Sequence, residues 1–349
     1  MSRYRQGTVA VIVVNWNRSH LLRSCLESLA AQTVAPGEVI LVDNGSSDDS
    51  LEMAEREFLR TGRLRLTVIR NTENRGFCAA NNQGFAATDA EFIALLNNDA
   101  EAEPGWIAAL LQAFRDRPGT GMAASKILVW ETPHMIDKVG HLIYPDGQNR
   151  GRGSGEEDRG QYDCVEEVLW PDGCAAMYRH EMIAQIGGFD EEFFAYADDA
   201  ELGLRARIAG WTCLYMPRAV VRHHRGATLG VRSRRRMELI ERNRVLLAAK
   251  LFPWSLLWLN IGYYLLRLGA GLWAALRSRG EIGKHPGTLG KAQVLAGLLL
   301  GDLQALPKLP RMLRRRREVN RYRKLSPREV RNLILKHRIP LRELTEQSA

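Results

Sequence analysis

The chain has 349 residues, enough for one large domain or two, and at 45% hydrophobic and 26% charged it has ordinary globular composition. Its five cysteines, Cys25, Cys78, Cys164, Cys174 and Cys213, are odd in number and never spaced as Cys-x-x-Cys, which argues against a zinc knuckle or a disulfide framework and suits a reducing cytosol. The net charge of +9 has a location: from Arg311 to Ala349 thirteen Lys and Arg face four Asp and Glu, so the first 310 residues balance to zero.

No apolar run follows Met1-Ser-Arg-Tyr-Arg5, so no signal peptide is expected. Thr8 to Val14 is a β-branched apolar run that predicts a central strand, ended by Asn15-Trp-Asn-Arg18. Ser19 is the expected cap of a helix from about His20 to Ala31, with Leu22, Leu26 and Leu29 on one face. After the Pro36-Gly37 turn, Glu38 to Val42 is a second strand, ending in Asp43-Asn-Gly-Ser-Ser-Asp-Asp-Ser50. A third strand, Leu64 to Ile69, precedes Asn74-Arg75-Gly76 and a helix through Ala79, Ala80, Asn81 and Gln83. Phe92 to Leu96 is a fourth, fully buried strand; Asn97-Asn98-Asp99 follows, and Pro104 sits where the next helix should begin. The alternation implies an α/β fold with a mostly parallel sheet covered on both faces.

The polar residues form a pattern. Asn15, Asp43, Asn74-Arg75 and Asn97-Asn98-Asp99 each follow an apolar strand, and in a parallel sheet those ends lie on one edge, where ligands bind. Each alone is ordinary turn chemistry. Together they predict one crevice. Neither Gly-x-x-x-x-Gly-Lys-Ser/Thr nor Gly-x-Gly-x-x-Gly follows the first strand, so phosphates are not held by a glycine loop. A carboxylate-bound divalent cation is the natural substitute.

Val13-Val-Asn-Trp-Asn17, Val42-Asp-Asn-Gly-Ser-Ser-Asp-Asp-Ser50, Asn74-Arg-Gly-Phe-Cys-Ala-Ala-Asn-Asn82 and Leu95-Leu-Asn-Asn-Asp99 occur in an order that resembles the nucleotide-sugar half of glycosyltransferase family 2, and the likeness runs over roughly residues 8 to 230. The resemblance implies a GT-A fold and inversion at the anomeric carbon. It implies that Asp43 contacts the nucleobase or ribose, with Asn15, Asn17, Asn74, Arg75, Asn97 and Asn98 around the nucleotide sugar. Asp99 would ligate Mg²⁺ or Mn²⁺ as the last residue of an Asp-x-Asp-type motif. Asn97 stands where the family usually has Asp, as in rhamnosyltransferase-like members, so Asp99 is the one sure carboxylate of that motif.

Gly119 to Trp130 predicts a further strand, and the Gly-, Arg- and Glu-rich stretch Gly147 to Gly160 reads as an exposed mobile loop rather than a substrate lid. Trp170-Pro-Asp-Gly-Cys-Ala-Ala-Met-Tyr178 resembles the family's acceptor-side segment, which assigns Trp170, Asp172 and Gly173 to that side. Phe193 to Arg205 then carries Asp198, Asp199, Glu201 and Arg205 in the family pattern Glu/Asp-Asp-x-Asp/Glu-Leu-x-x-Arg. An acceptor hydroxyl attacking the anomeric carbon needs a carboxylate to take its proton, and Asp199 is the expected base. Acids at a helix start also suit the helix dipole, a reading that fits Asp198 and Glu201 better, although Asp198 also falls on the acceptor side. Val220-Val-Arg-His-His-Arg-Gly-Ala-Thr228 resembles the family's His-x-x-Gly-x-Ser/Thr; His223 fits that spacing as a metal or diphosphate ligand and His224 does not.

Beyond Arg232-Ser-Arg-Arg-Arg236 the pattern is helical. Leu251 to Leu266 is uncharged and holds Trp254, Trp258, Tyr263 and Tyr264; Arg267 interrupts it, and Leu268 to Leu276 resumes with Trp273. A spanning helix needs about 20 apolar residues. A single span would put the clusters at Arg232 and Arg311 on opposite sides, against the positive-inside tendency. Interfacial or re-entrant helices with Trp and Tyr at headgroup depth are preferred over a span or a plain core or dimer contact. Anionic lipid, rather than nucleic acid, is the expected partner of Arg314 to Arg317.

The expectation is a GT-A domain over 1–230 and a helical, membrane-associated extension over 231–349, at the cytoplasmic face of the inner membrane. The expected activity is transfer from a nucleotide-diphosphate sugar, dTDP-L-rhamnose for preference, to a polyprenyl-diphosphate-linked or polysaccharide acceptor. A nucleotidyltransferase on a similar sheet would carry a Gly-rich, Lys/Arg-bearing loop where Asn15-Trp-Asn-Arg18 stands. A degenerate membrane- or RNA-binding relative would lack the acids, yet Asp43, Asp99 and Asp199 are all present.

Overall fold

The computed structural model describes residues 4–224, 234–277 and 287–346. In chain order the elements are β1 (Arg5–Asn15), α1 (Ser19–Ala30), β2 (Glu38–Asp43), α2 (Ser50–Ala54, continued by a π-helical turn Glu55–Leu59), β3 (Leu66–Arg70), α3 (Gly76–Ala86), β4 (Ala90–Leu96), β5 (Ala100–Ala102) and α4 (Trp106–Asp116). There follow β6 (Thr120–Val129), β7 (Ile136–Lys138), β8 (His141–Ile143), β9 (Asn149–Gly151), β10 (Glu166–Glu167), β11 (Ala175–Arg179), α5 (His180–Ile186), α6 (Asp198–Ile208) and β12 (Thr212–His223). The C-terminal helices are α7 (Arg234–Leu251), α8 (Trp254–Leu276), α9 (Gly287–Ala305), α10 (Leu309–Tyr322), α11 (Pro327–Lys336) and α12 (Leu341–Glu346).

The main sheet runs β10-β12-β6-β11-β4-β1-β2-β3, with β5 added to β12 and β7 to β6. The first four long strands pair in parallel, as their apolar runs predict. The second half makes the sheet mixed, because β11 lies antiparallel between β4 and β6 while β6 and β12 run parallel. Strand periodicity sorts the core into two layers. Val9, Val11 and Val13 of β1 with Phe92, Ala94 and Leu96 of β4 face α1, α2 and α4. Ala10 and Ile12 with Ile93 and Leu95 face α3, α5, α6 and the C-terminal helices.

Local details differ from expectation in three places. Ser19 is not a cap: it is the first helical residue of α1, Arg18 before it takes the left-handed conformation at φ 68°, and the Ser19 N–H donates to Asp48 Oδ2 at 3.0 Å. Asn97-Asn98-Asp99 does not lead straight into a helix, because β5 intervenes and pairs with β12 before α4 begins at Trp106. Gly147 to Gly160 is exposed only in its second half, where Gly155, Glu157, Arg159 and Gly160 face solvent. Its first half is the β8–β9 hairpin, with Arg150, Gly151 and Ser154 buried. A Cβ on Gly151 would lie 2.3 Å from Lys138 Cγ, and one on Gly147, at φ 104°, would lie 2.9 Å from the Arg244 carbonyl.

The C-terminal helices share a core with residues before 230: Leu246, Leu247, Phe252, Met312, Val319, Val330 and Ile334 belong to the same buried cluster as Ile93 and Tyr178. The tail's cations are partly committed inward. Arg311 pairs with Glu192, Arg315 with Asp190, and Arg316 donates to the carbonyls of Ala249 and Phe252. Arg314 and Arg317 are exposed. Of the Arg232–Arg236 cluster, Arg232 and Ser233 lie outside the described residues. Among the described residues no helix is long and apolar enough to cross a membrane.

The end of α11 docks on the β8–β9 hairpin, where the Ile143 N–H donates to the His337 carbonyl (3.1 Å) and the Ile339 N–H to the Ile143 carbonyl (3.2 Å). Burial, followed by the charge of Arg207, lowers the His337 imidazole to about 4, against about 6.5 in an unfolded chain. The neutral ring's contribution is therefore present above the unfolded value and is lost as pH falls towards the folded one. Between pH 7 and 5 the fold should lose about 1 kcal/mol through this group, once its partial exposure to solvent is allowed for. Urea unfolding at the two pH values should show the loss, and His337→Gln should shrink it; an equal loss in the variant would refute the assignment.

Candidate active site

The polar residues at the strand ends do converge. Asn98, after β4, donates to the side-chain oxygen of Asn15 at the end of β1 (2.7 Å), and Asn15 donates to Asp43 Oδ1 at the end of β2 (3.2 Å) and to the Ser46 hydroxyl (3.1 Å). Asp43 Oδ2 accepts the Ser46 N–H at 2.9 Å. Asn17, at φ 60°, folds back on the same loop: its N–H donates to the Ser46 hydroxyl and its side-chain oxygen accepts the Ser47 N–H, both at 2.8 Å. A second amide chain runs on towards β3. Asn44 donates to Asn74 (3.3 Å) and to the Gly76 carbonyl (3.2 Å), and Asn71 joins Asn44 (3.0 Å) to Gln83 (2.8 Å).

The buried amides among them, Asn15, Asn44 and Asn98, each find a polar partner, so the edge of the sheet is preorganised. Asn98, Asn15 and Asp43 act largely on one another. Asn74 and Arg75 at the start of α3 are exposed and open to solvent. Asn97 is held by its backbone, its N–H donating to the Cys174 carbonyl at 2.9 Å.

Asp99 is buried, and its Oδ1 lies 3.4 Å from His223 Nε2, while His223 Nδ1 lies 2.9 Å from Asp137 Oδ2. Burial would lower the His223 pKa, but Cys174 and the carboxylates of Asp137 and Asp99 outweigh it and raise the group well above its ordinary value. His224 points elsewhere, stacked on Trp130 with ring centroids 4.6 Å apart. Gly226 and Thr228 of the same motif lie outside the described residues.

A second group adjoins the first through Asp137-Lys138 on β7 and Asp172-Gly173-Cys174 before β11. Lys138 Nζ is 2.6 Å from Asp172 Oδ2, and His141 Nε2 is 2.9 Å from the same oxygen and 3.3 Å from Asp199 Oδ2. Burial would raise the Asp172 carboxyl, but Lys138 and His141 hold it well below the carboxylate range. Burial pushes Asp199 up, and His141 and Lys138 oppose it. Asp198 is pushed well above its ordinary value by burial and by the charge of Asp199. The neighbouring acids therefore differ: Asp198 favours the protonated form, and Asp199 is the one with cations beside it.

Trp170 is fully buried and stacks beside His141, centroids 6.0 Å apart. It adjoins the site through that ring. Gly173 lies against Phe77 and Asp198: a Cβ there would sit 3.1 Å from the Phe77 ring and 3.9 Å from Asp198 Oδ2. Glu201 turns away into a buried ion cluster with Arg205 (2.8 Å) and Lys250 of α7 (2.6 Å), which also holds Asp190 (2.7 Å).

His141, Asp172 and Asp199 each offer one ligand atom, all within 4.8 Å of one another, so a His/Asp cluster able to coordinate a divalent metal is present. Sequence reasoning missed Asp137, Lys138 and His141. The available signal was charge and imidazole inside the apolar stretch Ile136-Asp-Lys-Val-Gly-His-Leu-Ile143, which is too short to stand out as strands.

The mixed, Rossmann-like sheet flanked by helices is consistent with a GT-A fold. A mannosyltransferase from Pyrobaculum calidifontis, solved with GDP-Man and Mn²⁺, aligns with a TM-score of 0.50 at 17% identity over 90% of this chain and 85% of that one, a likeness of fold alone. The N-acetylglucosaminyl-diphospho-decaprenol L-rhamnosyltransferase of Mycobacterium tuberculosis is 28% identical over 63% of this chain and 77% of its own length. An uncharacterized protein of Sinorhizobium fredii is 30% identical over 64% of this chain, but the match spans only 25% of that longer protein. The profile of glycosyl transferase family 2 matches residues 10–186, from β1 through the amide-linked strand ends, β7, the hairpin and Asp172 to the end of α5. That match takes in just over half of the sequence, and the chain belongs to glycosyl transferase family 2.

Proposed function

We propose that the protein is a metal-dependent, inverting glycosyltransferase that moves L-rhamnose from dTDP-L-rhamnose to a hydroxyl of a polyprenyl-diphosphate-linked glycan. The observation that carries the reading is Asp199, a partly buried carboxylate flanked by His141 at 3.3 Å and joined through His141, Asp172 and Cys174 to Asn97 at the end of β4. In the reaction Asp199 accepts the proton of the acceptor hydroxyl. The hydroxyl oxygen forms the new bond to the anomeric carbon from the face opposite the diphosphate, and the old carbon–oxygen bond breaks with its electron pair on the phosphate oxygen. His141 orients the carboxylate, and Lys138 keeps Asp172 occupied so that Asp172 does not compete for the proton.

Asp99 and His223 fit a metal better than the His141 cluster does. Asp99 Oδ1 is buried without a conventional hydrogen bond, and Asp137 orients the imidazole from behind, the usual support of a metal-ligating histidine. A cation at His141, Asp172 and Asp199 would instead displace Lys138 and consume the base. Mg²⁺ or Mn²⁺ at Asp99 supplies charge neutralisation for the departing diphosphate. The sugar and the acceptor rest on the mycobacterial relative, whose name specifies an L-rhamnosyl transfer to a decaprenyl-diphosphate-linked sugar.

The test is a screen of nucleotide sugars for release of free nucleoside diphosphate, with bacterial membranes as the acceptor source. dTDP-L-rhamnose should give metal-dependent release that needs the membranes. Release from a different donor alone would replace the sugar, and no release from any donor would overturn the transferase reading.

A further inference from the structure

Helix α8 is amphipathic in the wrong sense for a surface helix, whose apolar stripe should face the core. Its polar side chains at i, i+4 and i+7 point inward. Arg267 Nε meets Asp146 Oδ2 at 2.6 Å and its Nη2 meets Glu241 Oε1 at 2.7 Å, Asn260 donates to the Asp146 carbonyl at 3.0 Å, and the Tyr264 hydroxyl donates to Asp302. Arg267, puzzling in an apolar run, is thus the bolt that fixes the helix's rotation. The outward face carries Trp254, Trp258, Ile261, Leu265, Leu272 and Trp273, with Trp258 83% and Ile261 71% exposed, and Arg267 is the only charged residue between Trp254 and Leu276. A continuous apolar face of this kind marks an interaction surface.

Charge decides the occupant. The Arg316 guanidinium lies over the Trp254 ring at 4.8 Å and that of Arg277 over Trp273 at 4.5 Å, so each end of the apolar face is capped by a tryptophan carrying a cation. A two-fold pairing with a second copy would set these cationic ends against each other, whether the helices ran parallel or antiparallel. Anionic lipid headgroups would neutralise them, and tryptophan is at home at headgroup depth.

We propose that α8 lies in the plane of an anionic bilayer surface, with its Trp254–Trp273 face inserted at the headgroup boundary. Asp146, gripped by Arg267, forms the turn of the β8–β9 hairpin that begins at His141, so the docked helix is tied directly to the strand bearing an active-site side chain. This holds whichever sugar is transferred.

The tail cannot be cut off as a test, because Met312, Val319, Val330 and Ile334 are part of the main core. Point substitutions at exposed positions are the right probe. The full chain and a Trp258→Glu/Leu265→Glu variant would be sedimented with phosphatidylcholine vesicles and with vesicles containing phosphatidylglycerol, over a salt series. The parent should bind both kinds, more tightly to the anionic one, with only that excess weakened by salt. The variant should bind at least about 100-fold more weakly to both, from lost apolar burial. It should keep the parent's circular dichroism and donor binding, since neither residue touches the site. Sedimentation equilibrium without lipid should give a monomer. Failure of the parent to bind either vesicle overturns the proposal, and if it is then a dimer that the variant splits, the face belongs to a second copy. Binding that resists carbonate extraction overturns it in favour of a spanning helix.

Discussion

Asp199→Asn should lower sugar transfer by at least about 10²-fold, the usual scale of general-base assistance, while donor binding survives. The side chain sits between His141 Nε2 at 3.3 Å and the Ala200 N–H at 2.7 Å, and an amide of the same shape can keep the second contact while losing the ability to accept a proton. Asp198 is the alternative base, but burial beside the Asp199 charge holds it towards its neutral form. Steady-state nucleoside diphosphate release gives the rate and calorimetry with the donor gives the affinity. An unchanged rate would transfer the role to Asp198, and a matching loss of affinity would mean that Asp199 serves the donor instead.

Asp99→Ala should cost still more. If a divalent cation at Asp99 contributes several kcal/mol to the departing diphosphate, its loss lowers transfer by about 10³-fold or more and weakens metal-dependent donor binding. The fold should survive, because His223 keeps Asp137 at 2.9 Å and the Asn98–Asn15–Asp43 chain does not pass through the Asp99 side chain. Thermal unfolding checks that survival, and donor titrations with and without EDTA check the metal. Full activity in EDTA, or in the variant, would remove Asp99 from the mechanism.

The strand-to-helix alternation of the first hundred residues was legible because strand periodicity and turn chemistry are local. Val9 to Val14 cannot be other than a buried strand, and polar residues after each run must fall on one edge once the strands are parallel. That reasoning put Asp43, Asn15, Asn98 and Asp99 on one edge of the sheet. Their division of labour lay outside it, since only the packed structure shows Asn98 bonded to Asn15 while Asp99 faces His223.

By itself the sequence determined the parallel half of the sheet, the edge on which its polar strand ends gather, and the apolar, tryptophan-bearing helix with one arginine in it. The tertiary structure decided what depends on partners remote in the chain. It set β11 antiparallel between β4 and β6, and it brought His141 to Asp172 across 31 residues. It turned the Gly147 stretch into a clamped hairpin and bound Arg267 to Asp146 across 121 residues. Short strands and buried charges take their meaning from the groups that pair with them, and a local pattern carries no record of which distant group that will be.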